Sequence, residues 1–379
     1  MRIFRRATAL FVTAGLVSAG FTAPARAEER RTGPGAVVAA ERLKRELWLP
    51  EAGAAKRFRY WTRDSRGRAA VSSGMLHLPK GEAPEGGWPV VAWAHGTVGI
   101  GDGCAPSRTG FSERDVRYLS RWLGEGYAIV ATDYAGLGTK GVAAYVDGPS
   151  EAENVADSVR AARAIVPSLA RKWVVVGQSQ GGHAAMFTLH AAAGHAPELD
   201  FRGGVATGVS ANLENLVPLA GPYLPDLPLH GLTTYFSYVM AALRANRPDL
   251  EIDRFLTPRG KAVMADALRL CYPELSAEIK ADGIGIGDIL SRRLVDRRLI
   301  QALRESLAIP VKGYPRPFYV AHGARDTDVP ALLVLKLAAD LRRNGAPVTF
   351  KLYPGADHSG NMFASLPDTL PFVRGLLRG

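Results

Sequence analysis

Short runs of almost continuously apolar residues alternate along this chain with longer stretches whose apolar residues recur at helical spacing. Runs of the first kind are typical of strands covered on both faces of a parallel sheet. They lie at 70–79, 88–96, 127–134, 172–177, 201–209, 317–323 and 347–355. The helical stretches lie at 112–124, 150–166, 182–193, 330–344 and 368–378. Strands that alternate with helices predict an α/β fold with a mostly parallel central sheet flanked by helices.

The alternation stops between residues 212 and 311. This stretch reads mostly as helix interrupted by Pro and Gly, and it contains no clear core strand. We interpret it as a helical cap, or lid, inserted between two core strands. The chain then divides into a first core part at 28–211, a cap at 212–311 and a second core part at 312–379. The start of the first part, residues 28–60, is predicted to be an arm with a short helix at 37–47.

The first residues have the pattern of a secretory signal peptide. Three arginines precede a run of mostly apolar and small residues at 7–22, and Ala25-Arg26-Ala27 is a small-x-small cleavage site. The apolar run is short and no stop-transfer pattern follows it, so we do not expect a membrane helix. We predict that residues 1–27 are removed and that the mature, secreted chain begins at Glu28 with no integral membrane segment.

The net charge and its distribution along the chain argue against a nucleic-acid partner. The formal net charge is +11, and removing the arginines of residues 1–27 lowers it to about +7. The remaining basic residues are scattered, and no basic strip is interleaved with aromatic residues. A nucleic-acid partner is therefore not expected, and weak attraction to anionic surfaces is the most that the charge supports.

Cys104 and Cys271 are the cysteines of the chain. In an exported protein an even pair forms a disulfide more often than it remains as two free thiols. No histidines flank either cysteine at zinc-binding spacing, so a metal site is not expected.

The segment Gly177-Gln178-Ser179-Gln180-Gly181 joins a predicted strand directly to a predicted helix. Such a short connection forces its central residue into a strained, exposed conformation, and glycines two residues before and after it remove the Cβ atoms that would clash. This is the G-x-S-x-G pattern of a nucleophile elbow, which raises the serine hydroxyl above the sheet. A glycine-rich turn with an incidental serine is the alternative interpretation.

A serine nucleophile needs a base, and the base needs a carboxylate that holds it in the right tautomer. In α/β folds with this elbow the order along the chain is Ser, then Asp or Glu, then His. Asp326 lies three residues beyond a predicted strand that ends at Gly323, and His358 follows the next strand. We predict a triad of Ser179, Asp326 and His358, with Asp328 as the competing acid.

Three further histidines lie near these segments. His95 and His322 each precede a glycine at a strand end, where a histidine more often braces a loop than acts as a base. His183 lies one helical turn after Ser179 and could line the site, although a packed helical residue is the simpler interpretation.

The oxyanion formed when a serine attacks a carbonyl needs two preorganised N–H donors. The backbone amide of Gln180 is one candidate, because it lies at a helix N-terminus, where amides are unpaired. The second candidate is the backbone amide of Thr97, in the His-Gly turn after the strand at 88–96. A plain strand-ending turn is the alternative for Thr97.

Six short motifs indicate to which protein family the chain is similar. AHGTVG (94–99), GCAPS (103–107), DYAGLG (133–138), GQSQGGHAA (177–185), GARDTDVP (323–330) and ADHSG (356–360) occur in this order. The chain resembles, over roughly residues 40–375, the secretory lipase family of the α/β-hydrolase superfamily, which includes fungal lipase A-type enzymes and actinobacterial relatives. GCAPS and DYAGLG together narrow the resemblance from superfamily to family.

The resemblance implies an α/β-hydrolase fold with a helical cap inserted before the last strands. It also implies the triad of Ser179, Asp326 and His358, and a disulfide from Cys104 into the cap at Cys271. Family members act on carboxylic esters, often acylglycerols, and the predicted serine mechanism needs no metal or organic cofactor.

The function predicted from these observations is a secreted serine carboxylic-ester hydrolase, a lipase or esterase, that acts on acylglycerols or other lipophilic esters through an acyl-enzyme. A small-molecule or lipid ester is the expected partner, with a lipid–water interface as a further possibility. A capped serine peptidase, an acyltransferase and a non-catalytic protein that binds apolar ligands are the alternatives. An intact Ser, Asp and His set argues against the last, because function resides in the site and not in the fold.

Two stretches of the predicted cap could line an acyl channel. Residues 233–243 combine apolar, aromatic and Met side chains, and residues 288–306 place leucines on one helical face and arginines elsewhere. A buried core helix and a solvated basic helix are the equally open alternatives.

Overall fold

The computed structural model describes residues 32–225 and 230–378. The predicted signal peptide, residues 1–27, and the predicted mature terminus at Glu28 lie outside the described residues. Within the described ranges, no helix combines the length and the apolar character needed to cross a membrane.

A nine-stranded sheet runs through the described residues, in the order β1-β2-β3-β5-β4-β6-β7-β8-β9. Strands β1 to β3 are antiparallel and β3 pairs antiparallel with β5, whereas all pairs from β5 across to β9 are parallel. The strands are β1 Val37–Arg42, β2 Ala54–Arg63, β3 Ala69–Leu78, β4 Trp88–Ala94, β5 Ala128–Thr132, β6 Leu169–Gln178, β7 Asp200–Thr207, β8 Phe318–Gly323 and β9 Val348–Tyr353.

Helices cover the sheet on both faces. They are α1 Pro106–Thr109, α2 Glu113–Gly124, α3 Gly148–Ile165, α4 Gln180–His195, α5 Leu213–Leu216, α6 His230–Asn246, α7 Pro258–Ala267, α8 Tyr272–Ala281, α9 Ile286–Ile289, α10 Arg297–Leu307, α11 Ala331–Arg343 and α12 Gly360–Arg378. Short 3₁₀ turns lie at Arg45–Leu47, Asp102–Cys104, Val217–Leu219, Pro248–Leu250 and Ile252–Phe255.

The continuous apolar runs of the central strands follow from this two-sided cover. Successive side chains of a strand point to opposite faces. In β6, Val175 packs in the cluster that contains α3 and α4, whereas Val174 and Val176 pack in the cluster that contains α2 and α12. The positions of β6 from Trp173 to Gln178 are therefore all buried, and the strand directs its C-terminal end toward one edge of the sheet.

The helical segment that we define as residues 213–307 separates β7 from β8. It contains α5 to α10, and its described residues contribute no strand to the sheet. Its side chains form a separate apolar cluster with Leu137, Tyr145 and Val146, which belong to loops of the sheet-bearing part. The helical segment thus packs onto loops of the sheet-bearing part rather than into its core.

Three predicted helices differ from the structure. The stretch 288–306 is not one helix, because α9 ends at Ile289 and α10 begins only at Arg297, and Leu290 forms a β-bridge with Leu256 instead. At 37–47, where a short helix was predicted, Val37–Arg42 is a strand and only Arg45–Leu47 forms a 3₁₀ turn. Backbone hydrogen bonds to β2 decide the outcome there, because tertiary pairing outweighs weak local helix propensity. The last helix begins at Gly360 instead of 368, and it contains Pro367 and Pro371 in its interior.

Candidate active site

Ser179 lies at the sharp turn between β6 and α4. Its backbone has φ 61° and ψ −119°, a left-handed conformation that is unusual for any residue other than glycine. Strain of this kind persists only where the surrounding structure fixes it, and it clusters at functional sites. Ser179 is largely buried at the end of the strand.

The glycines that flank the turn are required by close packing. A Cβ at Gly177 would overlap the carbonyl oxygen of Gly181, and a Cβ at Gly181 would overlap the carbonyl oxygen of Ala94. The elbow is therefore pressed against the end of β4, which places the two strand ends in direct contact.

Asp326 and His358 form a buried pair on the loops that follow β8 and β9. His358 Nδ1 donates to Asp326 Oδ2 at 2.7 Å. Asp326 Oδ1 accepts the backbone N–H groups of Asp328 at 3.0 Å and Val329 at 2.8 Å. Since a neutral imidazole has one N–H, this arrangement leaves the lone pair on Nε2 of His358. The structure pairs His358 with Asp326 and not with Asp328.

The end of β7 lies between the elbow and His358. The backbone N–H of Ser179 donates to Thr207 O at 3.0 Å. The next residue, Gly208, lies against the imidazole, so that a Cβ there would be 3.1 Å from Cε1 of His358. Gln178 Nε2 also donates to the His358 carbonyl at 3.3 Å. Ser179 and His358 are thereby brought to the same edge of the sheet.

The two predicted oxyanion donors flank the elbow. Gln180 is the first residue of α4, and Thr97 follows Gly96, where a Cβ would be 3.5 Å from the Cβ of Ser179. Each of the two residues has a side-chain partner that sequence reasoning missed. Gln180 Nε2 donates to Glu151 Oε1 at 2.7 Å, and Thr97 Oγ1 lies 2.6 Å from the hydroxyl of Tyr145.

Glu151 and Tyr145 carried no recognisable signal in the sequence. Glu151 occupies the first turn of α3, where acidic residues are common because they favour the positive end of the helix dipole. Nothing in its sequence context separates a buried carboxylate from an ordinary exposed one. Tyr145 is buried too, which raises the pKa of its hydroxyl.

A cavity of about 270 Å³ opens beside Ser179. Asp328 is the one charged residue among its described lining residues, and most of the others are apolar. Many of these belong to the helical segment, among them Leu213, Leu216, Val217, Leu219, Ala220, Leu224, Leu232, Tyr235, Phe236 and Val239. The stretch 233–243 therefore contributes three side chains to the cavity wall, in agreement with the channel interpretation, while Tyr238 and Met240 are buried in the helical core.

Tyr235 links the helical segment to the loop that carries Asp326. Its hydroxyl donates to Asp328 Oδ1 at 3.1 Å and lies 3.0 Å from the hydroxyl of Tyr272, with the two rings stacked. Burial is the largest cause that raises the pKa of Tyr235, so the hydroxyl keeps its proton. Asp328 thus binds the helical segment instead of His358.

The disulfide predicted from the family resemblance is present. Cys104 and Cys271 are bonded, with Cα atoms 5.4 Å apart and a sequence separation of 167. Gly99 forms an isolated antiparallel β-bridge with Cys271, and the backbone N–H of Tyr272 donates to Val98 O at 2.9 Å. The bond therefore fastens α8 of the helical segment to the loop after β4.

Asp326, Asp328 and His358 are the described residues whose donor atoms cluster closely enough to hold a metal ion, within 4.8 Å of one another. Both oxygens of Asp326 are already engaged, by His358 Nδ1 and by two backbone N–H groups. An ion at this place would have to break the Asp–His hydrogen bond, so the donor set fits proton transfer better than metal binding.

The three further histidines named in the sequence analysis hold loops and helix ends in place. His95 Nδ1 donates to Gly96 O at 2.7 Å, within the turn that leads to Thr97. His322 Nε2 donates to Val329 O at 3.0 Å, and burial is the largest cause that lowers its pKa, which keeps this ring neutral beside Asp326. His183 Nε2 donates to Leu307 O at 3.1 Å, at the end of α10.

Comparison with known proteins places the chain in a family. The family model of secretory lipases matches residues 105–379, well over half of the chain. The chain belongs to the secretory lipase family. Lipase A of Moesziomyces aphidis is 23% identical over 277 residues, which cover 69% of this chain and 56% of that relative, so the chain spans little more than half the length of this relative.

Solved structures of similar proteins agree on the fold. Candida antarctica lipase A superposes with a TM-score of 0.76 at 19% identity, over 91% of this chain and 82% of that chain. The rice cell wall degrading esterase LipA from Xanthomonas oryzae gives 0.71 at 19% identity, over 89% and 99%. The predicted α/β-hydrolase fold, with its mostly parallel sheet flanked by helices, is confirmed.

Three of the motifs that carry the secretory lipase resemblance are in contact in the structure. Asp133 Oδ1 accepts the backbone N–H of Ser107 at 2.9 Å, which joins DYAGLG to GCAPS. Tyr134, itself at φ 66°, donates its hydroxyl to His95 O at 3.2 Å, which joins DYAGLG to AHGTVG. AHGTVG, GCAPS and DYAGLG therefore form one cluster of loops that includes Thr97.

Proposed function

We propose that this chain is an exported serine carboxylic-ester hydrolase, a lipase or esterase that works through an acyl-enzyme. The observation that carries the proposal is the strained Ser179 elbow at the mouth of an apolar cavity, with the buried His358–Asp326 pair on the same edge of the sheet. Membership of the secretory lipase family supports it.

In this mechanism Ser179 attacks the ester carbonyl while Nε2 of His358 takes the hydroxyl proton. Asp326 holds the ring in the tautomer that leaves Nε2 free, and it stabilises the imidazolium that forms. The backbone amides of Gln180 and Thr97 donate to the oxyanion. His358 returns its proton to the departing alcohol, and water then releases the acyl group by the same steps.

The acyl group occupies the cavity beside Ser179, and residues 212–311 act as a cap over it. The lining is apolar, and much of it comes from the helical segment. Removing a methylene group from water stabilises binding by about 0.8 kcal/mol, so a lipophilic acyl chain gains affinity with each carbon that the cavity accepts. The core parts of the enzyme are then residues 28–211 and 312–379.

The surface around the cavity opening suits a lipid–water interface. Leu216, Leu219 and Leu232 line the cavity and are also exposed, and Tyr223 nearby is 55% exposed. Arg293 lies over the Tyr223 ring at 5.8 Å, which adds a cation to this apolar surface. Exposed apolar groups beside a binding site are characteristic of interaction surfaces. Export through the signal peptide at 1–27 would deliver the enzyme to such substrates.

The test is a comparison of Ser179→Ala with Ser210→Ala. Ser210 lines the same cavity but lies off the elbow, so it is a matched control. Turnover of p-nitrophenyl esters from acetate to palmitate, and of a triglyceride emulsion, should fall at least about a thousandfold in Ser179→Ala. Ser210→Ala should keep most of its turnover, and a fluorophosphonate probe should label it but not Ser179→Ala. Turnover in Ser179→Ala above a tenth of the original rate would exclude the serine mechanism.

A further inference from the structure

Glu151 is a buried carboxylate close to the nucleophile that the proposed reaction does not use. Its exposed fraction is 2%, and it belongs to the first turn of α3. Oε1 accepts two N–H donors, from Gln180 Nε2 at 2.7 Å and from the backbone of Val146 at 3.2 Å. Burying a carboxylate is unfavourable unless hydrogen-bond partners compensate for the lost water, so a carboxylate at this position indicates a specific role.

Val146 is itself strained. Its φ is 52°, which for a β-branched residue is a true outlier. Val146 and Tyr145 both line the cavity beside Ser179. The hydrogen bond from Val146 N to Glu151 is thus one of the contacts that hold a strained turn in the wall of the active site.

A continuous series of contacts links the two proposed oxyanion donors through this turn. Thr97 Oγ1 pairs with the Tyr145 hydroxyl, and Tyr145 is bonded covalently to Val146. Val146 donates to Glu151, which accepts from the side chain of Gln180. Glu151 is therefore the point at which the Gln180 side of the oxyanion site is tied to the Thr97 side.

We propose that Glu151 is a positioning residue, whose carboxylate fixes Gln180 and the Tyr145–Val146 turn so that the backbone amides of Gln180 and Thr97 converge on one oxyanion. The inference rests on the proposed function. Catalytic groups must be held within about 0.5 Å of their productive geometry, and a misplacement of about 1 Å can cost about a hundredfold in rate. Glu151 does not touch the reacting atoms, and it acts only through its two partners.

The position of His183 indicates that Glu151→Gln is a conservative variant. Its Nε2–H donates to Leu307 O at 3.1 Å, and its Nδ1 lies 3.9 Å from Glu151 Oε2. In Glu151→Gln the amide oxygen can keep both N–H donors of Oε1 while the new NH2 group faces Nδ1 of His183. Glu151→Ala removes the acceptor altogether. Gln180→Ala removes the side-chain donor to Glu151 Oε1 and leaves the backbone amide of residue 180 in place.

The experiment measures kcat and KM for p-nitrophenyl butyrate, the inhibition constant of an alkyl boronic acid and the melting temperature for these three variants. A boronic acid forms a tetrahedral adduct on a serine and needs the oxyanion donors, whereas KM reports mainly on the cavity. Ser179→Ala is measured in parallel, so that a failure of the serine mechanism is recognised separately from a failure of the role of Glu151.

In Glu151→Ala, kcat should fall about a hundredfold and the boronic acid should bind weaker in proportion, while KM changes less than about threefold. Gln180→Ala should lose at least about tenfold in kcat, and Glu151→Gln should stay within about tenfold of the original enzyme. A lower melting temperature with unchanged kcat and inhibitor binding would show a purely structural role and overturn the proposal. So would a Glu151→Gln variant no better than Glu151→Ala. If Glu151→Ala does not fold, original kcat and inhibitor binding in Gln180→Ala would overturn it.

Discussion

Replacing Asp326 with Asn exchanges one carboxylate oxygen for an NH2 group, and the surrounding contacts decide which one. Oδ1 accepts the backbone N–H groups of Asp328 and Val329, whereas Oδ2 accepts Nδ1–H of His358. Turning the NH2 group toward the two backbone donors would leave them buried and unpaired, at about 1–3 kcal/mol each. The NH2 group therefore faces His358.

An NH2 group at that position needs an acceptor, so the imidazole proton moves from Nδ1 to Nε2. The ring then presents an N–H to Ser179 and cannot take the serine proton. A base held in the wrong tautomer loses about 10⁴-fold in kcat, which corresponds to about 5.5 kcal/mol of transition-state stabilisation. The folded structure should survive, because both backbone hydrogen bonds to Oδ1 are kept.

Asp328→Asn is the matched control, since it makes the same chemical change two residues along the same loop. Asp328 is half-buried and accepts a hydrogen bond from Tyr235, which an Asn oxygen can also accept. We expect a loss of less than about tenfold in kcat. The assay is p-nitrophenyl butyrate turnover per mole of folded protein, with melting temperatures for both variants. Equal losses, or a larger loss in Asp328→Asn, would refute the choice of acid.

Four further outcomes are expected. Replacing Cys271 with Ser opens a loop closed over 167 residues, so the free energy of unfolding measured in urea should fall by up to about 5 kcal/mol. Turnover of the palmitate ester should fall more than turnover of the acetate ester. An unchanged free energy of unfolding would contradict this prediction. Burial lowers the pKa of His77 from 6.5 to about 4, so on acidification the unfolded chain binds a proton at this site before the folded protein does. The free energy of unfolding should therefore fall by about 2 kcal/mol between pH 7.5 and pH 5. His77→Leu is the control, and the fall should be larger in the original protein by this amount. Values of kcat/KM should rise about fourfold per added methylene until the cavity is filled, and a flat profile from acetate to octanoate would argue against an acyl cavity. N-terminal sequencing of exported material should begin at Glu28, and material that retains residues 1–27 would disprove the signal peptide.

The parts of the fold that were predictable are those where burial alone determines the sequence. The central strands are covered on both faces, so their apolar runs are unambiguous, and the glycines at 177 and 181 follow from backbone contact. At 37–47 the local pattern suits a helix, but the chain pairs with β2, a partner that no local window contains. Pro367 likewise hid the first two turns of the last helix, which packing on the sheet maintains.

For the candidate site, chain order and strand ends were enough to bring Asp326 and His358 together, because loops after parallel strands share one edge of the sheet. They could not identify Glu151, which lies 29 residues from Gln180 and looks like any acidic residue in the first turn of a helix. Buried polar partners of this kind depend on how two helices meet, and a single sequence carries no local trace of that geometry.

The wall of the cavity and the groups that surround the elbow are encoded in different places. Most of the apolar lining lies between Ser210 and Val239, whereas Ser179, Asp326 and His358 belong to loops at the ends of β6, β8 and β9. A recombination event that replaces only the codons for 212–239 would change the shape of the cavity and leave the residues of those three loops unchanged, provided that Tyr235, which donates to Asp328 on the loop of Asp326, is kept. If the proposed function holds, substrate range and catalytic chemistry are encoded in separable gene segments, and a library restricted to 212–239 would vary the substrate range while it keeps Ser179, Asp326 and His358.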